Sequence, residues 1–275
     1  MYRYSSSANQ NYFRSAVPLG RDEIVRHAPS VLAEAAHESR GERYSFIPTI
    51  QVLDGLGKEG FQPFEVRQTR VRDQGRREHT KHLVRLRHPS TIEASVQEVP
   101  EIILINSHDG TTSYQLLAGF FRMVCSNGLI AGDVCNDIRV RHSGNVVDDV
   151  IEGSFRVLED VKEIGSRIET YKSIILKPEE QSLFATASLQ LRWDEGKAPV
   201  EAEHLLAPKR WEDNKPDLWT TFNRVQENMI KGGMRGRSAT GRRMSTRAVS
   251  GVNENVRLNR ALWTLADGLA KQKLS

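Results

Sequence analysis

The sequence predicts an α+β protein: an antiparallel β meander, then a long helix, then a helical C-terminal region. Three observations predict it. Between about residues 44 and 145, short apolar-alternating runs are separated by Gly-, Asn- and Asp-containing turn signals. From Asn145 the apolar period lengthens to three and four residues and holds for about seven turns. Beyond that helix, each segment with a clear period is again helical.

Residues 1–20 are polar and patternless, and read as a loose arm. Arg21 to Arg40 is helical in pattern; Pro29 interrupts it, and Ser30 caps the resumed stripe of Val31, Leu32, Ala35 and Ala36. Phe46–Leu53 reads as a strand, or a strand entering a short helix, and Phe64–Arg72 suits a half-buried pleated surface. His82–His88 alternates more cleanly, with Val84 and Leu86 on one face and Arg85 and Arg87 on the other. Glu101–Asn106, Ser113–Cys125 and Asp137–His142 follow. Asp109-Gly110 and Asn127-Gly128 between them are expected to be hairpin turns, which need positive φ.

Along the long helix Val147, Ile151, Phe155, Leu158, Val161, Ile164 or Gly165, Ile168 and Tyr171 fall at three- and four-residue steps, with Asn145 as cap and Asp148 and Asp149 at its positive end. Pro178-Glu179-Glu180 opens another through Leu183, Phe184, Ala187 and Leu191. A polar linker from Asp194 to Pro216 precedes a helix with Leu218, Phe222, Val225 and Met229, closed by Gly232-Gly233. The last helix runs from about Asn253 to Lys271. The expected organisation is an arm (1–20), an α+β core (21–230, sheet about 44–145, helices about 146–230), a basic Gly/Arg-rich segment (231–251) and a C-terminal helix (252–275).

The 275 residues carry a net charge of +4 and only two cysteines, with mean hydropathy −0.50. Two cysteines cannot supply a disulfide framework. No run approaches the roughly 18 apolar residues of a membrane span, and the N-terminus lacks the apolar core of a signal peptide. The expected setting is cytoplasmic, with no membrane partner.

How the positive charge is distributed says more than its total. Lys231 to Val249 reads KGGMRGRSATGRRMSTRAV: Lys231, Arg235, Arg237, Arg242, Arg243 and Arg247, with four glycines, four hydroxyls and no acid. Arginine supplies a planar fork of donors for phosphate, and glycine lets backbone N–H groups approach closely. A second basic stretch, Arg67 to Arg87, would place Arg70, Arg72, Arg85 and Arg87 on one face of a hairpin as a basic ribbon. Together they point to a charged groove that grips a nucleic-acid backbone.

Catalytic constellations are thinner. Cys125, His108 and His142 sit at expected strand ends, where a Cys–His nucleophile pair is conceivable. Turn geometry and a small buried apolar residue explain the same positions. His79, His82 and His88 have loose metal-ligand spacing that nothing completes, so neither metal nor cofactor is expected. No phosphate loop or dinucleotide fingerprint is present.

His37-Glu38-Ser39-Arg40-Gly41-Glu42-Arg43-Tyr44, Pro100 to Gly110, Phe121 to Leu129, Arg210-Trp211-Glu212-Asp213, Asp217-Leu218-Trp219-Thr220-Thr221 and Gln226 to Gly233 carry a resemblance. It is to the uncharacterised phage- and plasmid-encoded domain-of-unknown-function family that includes the prophage proteins YfjQ and YafZ. The resemblance covers about Arg21 to Lys271 and implies a mobile-element setting, without supplying an activity, cofactor or catalytic residue. A meander followed by a long helix is also the outline of single-strand annealing proteins.

The leading expectation is a non-enzymatic DNA-binding protein of a plasmid or prophage that contacts phosphates with little sequence specificity, in recombination or single-strand handling, with homo-oligomers allowed. Two alternatives stand beside it: a protein that binds and inhibits a host restriction or defence protein, and a hydrolase using Cys125 and His142.

Overall fold

A computed structural model describes residues 11–41, 44, 46–89, 98–123, 127–131, 138–140 and 145–275. The chain forms two compact units: Met1–Gly128, Cys135–Val161 and Ser250–Val252 in the first, Leu129–Val134, Lys162–Val249 and Asn253–Ser275 in the second.

The sheet runs in the order β1 (Tyr12–Arg14), β2 (Gln62–Gln68), β3 (His82–Arg87), β4 (Glu98–Asn106), β5 (Tyr114–Arg122) and β6 (Asn127–Ile130), with β7 (Ile138–Val140) also on β5. Each pair whose register is defined is antiparallel. The expected α+β class, meander first and helices after, is what the chain adopts. Val66, Val84, Leu104 and Leu116 form one cross-strand row and are fully buried. Pleating sends Glu65, Arg67, Arg85, Arg87, Glu101 and Phe121 to the opposite face.

Of the helices, α1 (Arg21–His27) ends before a 3-10 turn at Pro29–Leu32, and α2 (Thr49–Lys58) follows. The next, α3 (Val146–Ser173), starts in the first unit. Two glycines let these helices approach closely. A Cβ on Gly55 of α2 would lie 2.9 Å from Val147, and one on Gly153 of α3 would lie 2.7 Å from Leu116 of the sheet.

Four local expectations are corrected. Tyr12–Arg14 is not a loose arm but an edge strand on β2. Phe46–Leu53 holds no strand, because Pro48 fixes the entry to α2, which buries Val52, Leu53 and Leu56. The β4–β5 connection, Ser107–Ser113, is longer than a two-residue hairpin loop, with Gly110 at φ 75°. Asn127-Gly128 opens a strand instead of turning: a Cβ on Gly128 would sit 2.8 Å from the Arg85 and Arg14 guanidinium groups, so close approach is what this glycine provides.

In the second unit α4 (Pro178–Arg192), α5 (Ala202–Leu206), α6 (Leu218–Lys231) and, from Asn253 on, α7 (Val252–Leu274) follow the end of α3. Every residue of α6 from Leu218 to Ile230 except Arg224 is buried. Its apolar face meets an aromatic cluster: Trp219 stacks on Phe222 at 5.6 Å, Phe222 meets Trp263 edge-on at 6.0 Å, and Trp263 contacts Tyr171 at 5.5 Å.

Its polar face is buried as well, and therefore hydrogen-bonded. Gln226 donates to Asn259 at 2.7 Å, and Asn228 donates to the carbonyls of Leu205 and Ala207. Glu227 receives Arg210 and Lys231. Asp217 caps the helix by accepting from the Thr220 N–H and hydroxyl, both at 2.8 Å.

Candidate nucleic-acid interface

The acid-free segment after α6 folds into a small ribbon, β8 (Arg235–Arg237) and β9 (Arg243–Ser245), paired as Arg235↔Ser245, Gly236↔Met244 and Arg237↔Arg243. Gly232 (φ 65°) ends α6, where a Cβ would meet the Arg247 backbone at 2.6 Å. The Gly233 and Thr246 amides donate to Thr246 and Met234 carbonyls, and Val249 N–H donates to Ile230. Arg192 of α4 donates to the carbonyls of Met229 and Arg247. At the tip, Gly241 (φ 76°) donates to Ser238, and the Ser238 hydroxyl accepts from Arg242 N–H at 3.2 Å.

Gly236 presses on the Asp194–Pro216 stretch. Arg237 N–H donates to the Pro199 carbonyl at 2.8 Å, and any Cβ at Gly236 would overlap that carbonyl. Between ribbon and stretch lies a groove of about 800 Å³, lined among others by Pro199, Val200, Arg235, Arg237, Arg243 and Met244.

Pleating places Arg235, Arg237 and Arg243 on one ribbon face, with Arg237 directly opposite Arg243. Like charges in that position cost a few tenths to about 1 kcal/mol unless something negative lies between them. Arg235, Arg237, Arg242, Arg243 and Arg247 are all exposed, and among the described residues none of the five is held by a carboxylate. Lys231 differs: its ammonium lies 3.0 Å from Glu227, so it belongs to the α6 anchor and not to an open track.

The other basic stretch does not form the expected ribbon. Arg70 and Arg72 are exposed in the β2–β3 connection. Arg85 and Arg87 are 1% and 5% exposed. Glu101 takes Arg85 at 2.7 Å and Arg87 at 2.9 Å, while Glu65 receives Arg14, Arg67 and Arg85. The Arg87 guanidinium also lies over the Phe64 and Phe121 rings, at 4.3 and 4.1 Å. Burial alone would raise the Glu65 carboxyl, but the guanidinium groups of Arg14, Arg85 and Arg67 overcome it and hold the pKa down to about 2. Alternation correctly groups Arg85 with Arg87. It is blind to the carboxylates that two neighbouring strands bring to the same face.

A third cluster joins residues far apart in sequence. The Gln68 amide is oriented by Nε2 donating to the Arg77 carbonyl, so its Oε1 accepts from the Ser30 N–H and hydroxyl. Ser30 Oγ and the Thr80 carbonyl then face His82 Nδ1, which must carry the proton. His82 Nε2 is left to accept from the Thr49 hydroxyl at 2.9 Å. Thr49 Oγ1 in turn accepts from Asn106 Nδ2 at 3.0 Å and from His108 Nε2 at 3.1 Å. Burial pushes the His82 imidazole down to about 4, so it is neutral at pH 7.

A hydroxyl bonded to an imidazole is the pairing hydrolases use. Here Thr49, His82 and His108 are all 0% exposed, and the chain of donors pins α2 to the sheet. His108 is closed off from solvent, with its Nε2 held by the Thr49 hydroxyl. Cys125 and His142 lie outside the described residues. The metal-spaced histidines part company: His82 faces Thr49, His88 bonds the Glu59 carbonyl, and His79 packs edge-on against His37.

The model for the domain of unknown function DUF932 matches residues 36–263, and the chain belongs to that family. The chain is 52% identical over 262 residues to UPF0380 protein YafZ of Escherichia coli K12, and 51% identical over 262 residues to UPF0380 protein YfjQ of the same strain. Each match spans 95% of both chains. No solved structure matches. Among the described residues no helix is long and apolar enough to cross a membrane.

Proposed function

We propose that this protein is a non-enzymatic nucleic-acid-binding protein, with DNA as its ligand, that grips phosphates through the β8–β9 ribbon with little sequence specificity. A bacterial cytoplasm, in the service of a phage or plasmid, is the proposed setting. The observation that carries the reading is the Arg237–Arg243 cross-strand pair within a ribbon of exposed, carboxylate-free arginines. In the free protein that pair opposes folding; a phosphate between the two forks turns repulsion into two charge-assisted contacts. Guanidinium groups reach phosphate oxygens wherever the backbone runs, which fixes position without reading bases.

The test is fluorescence anisotropy with a labelled oligonucleotide against the wild type and the Arg237→Ala/Arg243→Ala variant. The proposal expects at least about a tenfold loss of affinity, from two charge-assisted contacts, with a melting temperature equal to or slightly above that of the wild type because the like-charge pair is gone. Equal affinity for both proteins would reject it.

A further inference from the structure

The groove beside the ribbon has a size and a chemistry that phosphate contacts alone do not require. Its volume of about 800 Å³ falls in the range of sites that enclose small ligands, roughly 300–1,000 Å³. Pro199, Val200 and Met244 give it apolar surface, and Arg235, Arg237 and Arg243 supply the cations beside it, while Lys197 on the same lining is paired with Asp194 at 2.8 Å. Glu201 is the one carboxylate on its lining, so an anionic group is steered to the arginine side and a neutral ring to the remainder.

Resting on the nucleic-acid reading above, we infer that the groove admits the base and phosphate of an unpaired nucleotide, making the protein a single-strand binder. Apolar side chains and guanidinium planes both accept the face of a nucleobase. A duplex keeps its bases stacked inward, and extruding one costs a few kcal/mol. The ribbon arginines engage either form; the groove engages only a strand whose bases are already free.

The experiment compares a labelled oligonucleotide of about 20 nucleotides, single-stranded and as duplex, by anisotropy at equal ionic strength. Two neutral variants alter the groove without touching an arginine: Ala198→Leu narrows it and Met244→Ser removes apolar surface. Thymidine monophosphate and inorganic phosphate serve as competitors. The inference expects the single strand to bind about tenfold tighter than duplex. It also expects each variant to lose most of that advantage while duplex affinity stays within about twofold, and the nucleotide to compete better than phosphate. Equal affinity for the two forms, insensitivity of single-strand binding to both variants, or equal competition by phosphate would each overturn it. If the ribbon variant Arg237→Ala/Arg243→Ala also leaves every affinity unchanged, the nucleic-acid reading itself has failed. If only that variant acts, the ribbon reading stands and the groove inference falls.

Discussion

Acidification should unlock the first unit through a single imidazole. His82 titrates at about 4 in the fold against an ordinary 6.5, because burial disfavours its charged form. The unfolded chain therefore binds the proton first, and the stability gained by keeping His82 neutral is present above pH 6.5. It is lost as pH falls from 6.5 towards 4. Integrating between those two values gives a loss of about 2.5 kcal/mol by pH 4.5 and about 3.4 kcal/mol in full. Glu65, held at about 2, adds its own loss chiefly below pH 4.5 and hardly overlaps. All four tryptophans (Trp193, Trp211, Trp219 and Trp263) lie in the second unit, so their fluorescence would miss the effect. Amide hydrogen exchange of peptides covering β3 and β4 reports it instead, as about a 60-fold drop in protection between pH 7 and 4.5 after correction for intrinsic rates. In His82→Gln the drop should nearly vanish. A variant as acid-sensitive as the wild type would refute the buried-imidazole argument.

Three further outcomes follow from the same geometry. Glu101→Ala leaves Arg85 and Arg87 buried without their shared carboxylate and should cost about 3–5 kcal/mol in urea unfolding followed by circular dichroism; a cost under about 1 kcal/mol would mean the charges are hydrated. Asp217→Ala removes the α6 cap and should cost about 1 kcal/mol in the same assay. Gly236→Ala drives a Cβ into the Pro199 carbonyl, so exchange protection of the Arg237 amide should be lost and oligonucleotide affinity should fall while α6 keeps its protection.

Periodicity carried the architecture because it records which faces meet apolar neighbours. The 3.6-residue period after Asn145 marks α3, and the alternation from His82 marks β3. It failed where the deciding partner is distant. Tyr12–Arg14 is a strand only because Arg67, Val66 and Glu65 offer it an edge, and α6 shows an apolar stripe although its polar face is buried too. The ribbon arginines were legible because an acid-free run leaves no local carboxylate to neutralise them. Arg85 and Arg87 were misread because Glu65 and Glu101 reach them across strands. Thr49 gave no signal at all: a lone threonine after proline becomes the hub of a network only through Ser30, Gln68, His82, Asn106 and His108.

The central claim is that the β8–β9 ribbon is an open phosphate grip. Its most direct test is the salt dependence of single-strand binding. Five ribbon arginines engaging five phosphates should give a slope of log affinity against log salt near −3.5, from roughly 0.7 per contact, and Arg242→Ala/Arg243→Ala should bring it to about −2. A slope identical in the two proteins would contradict the account.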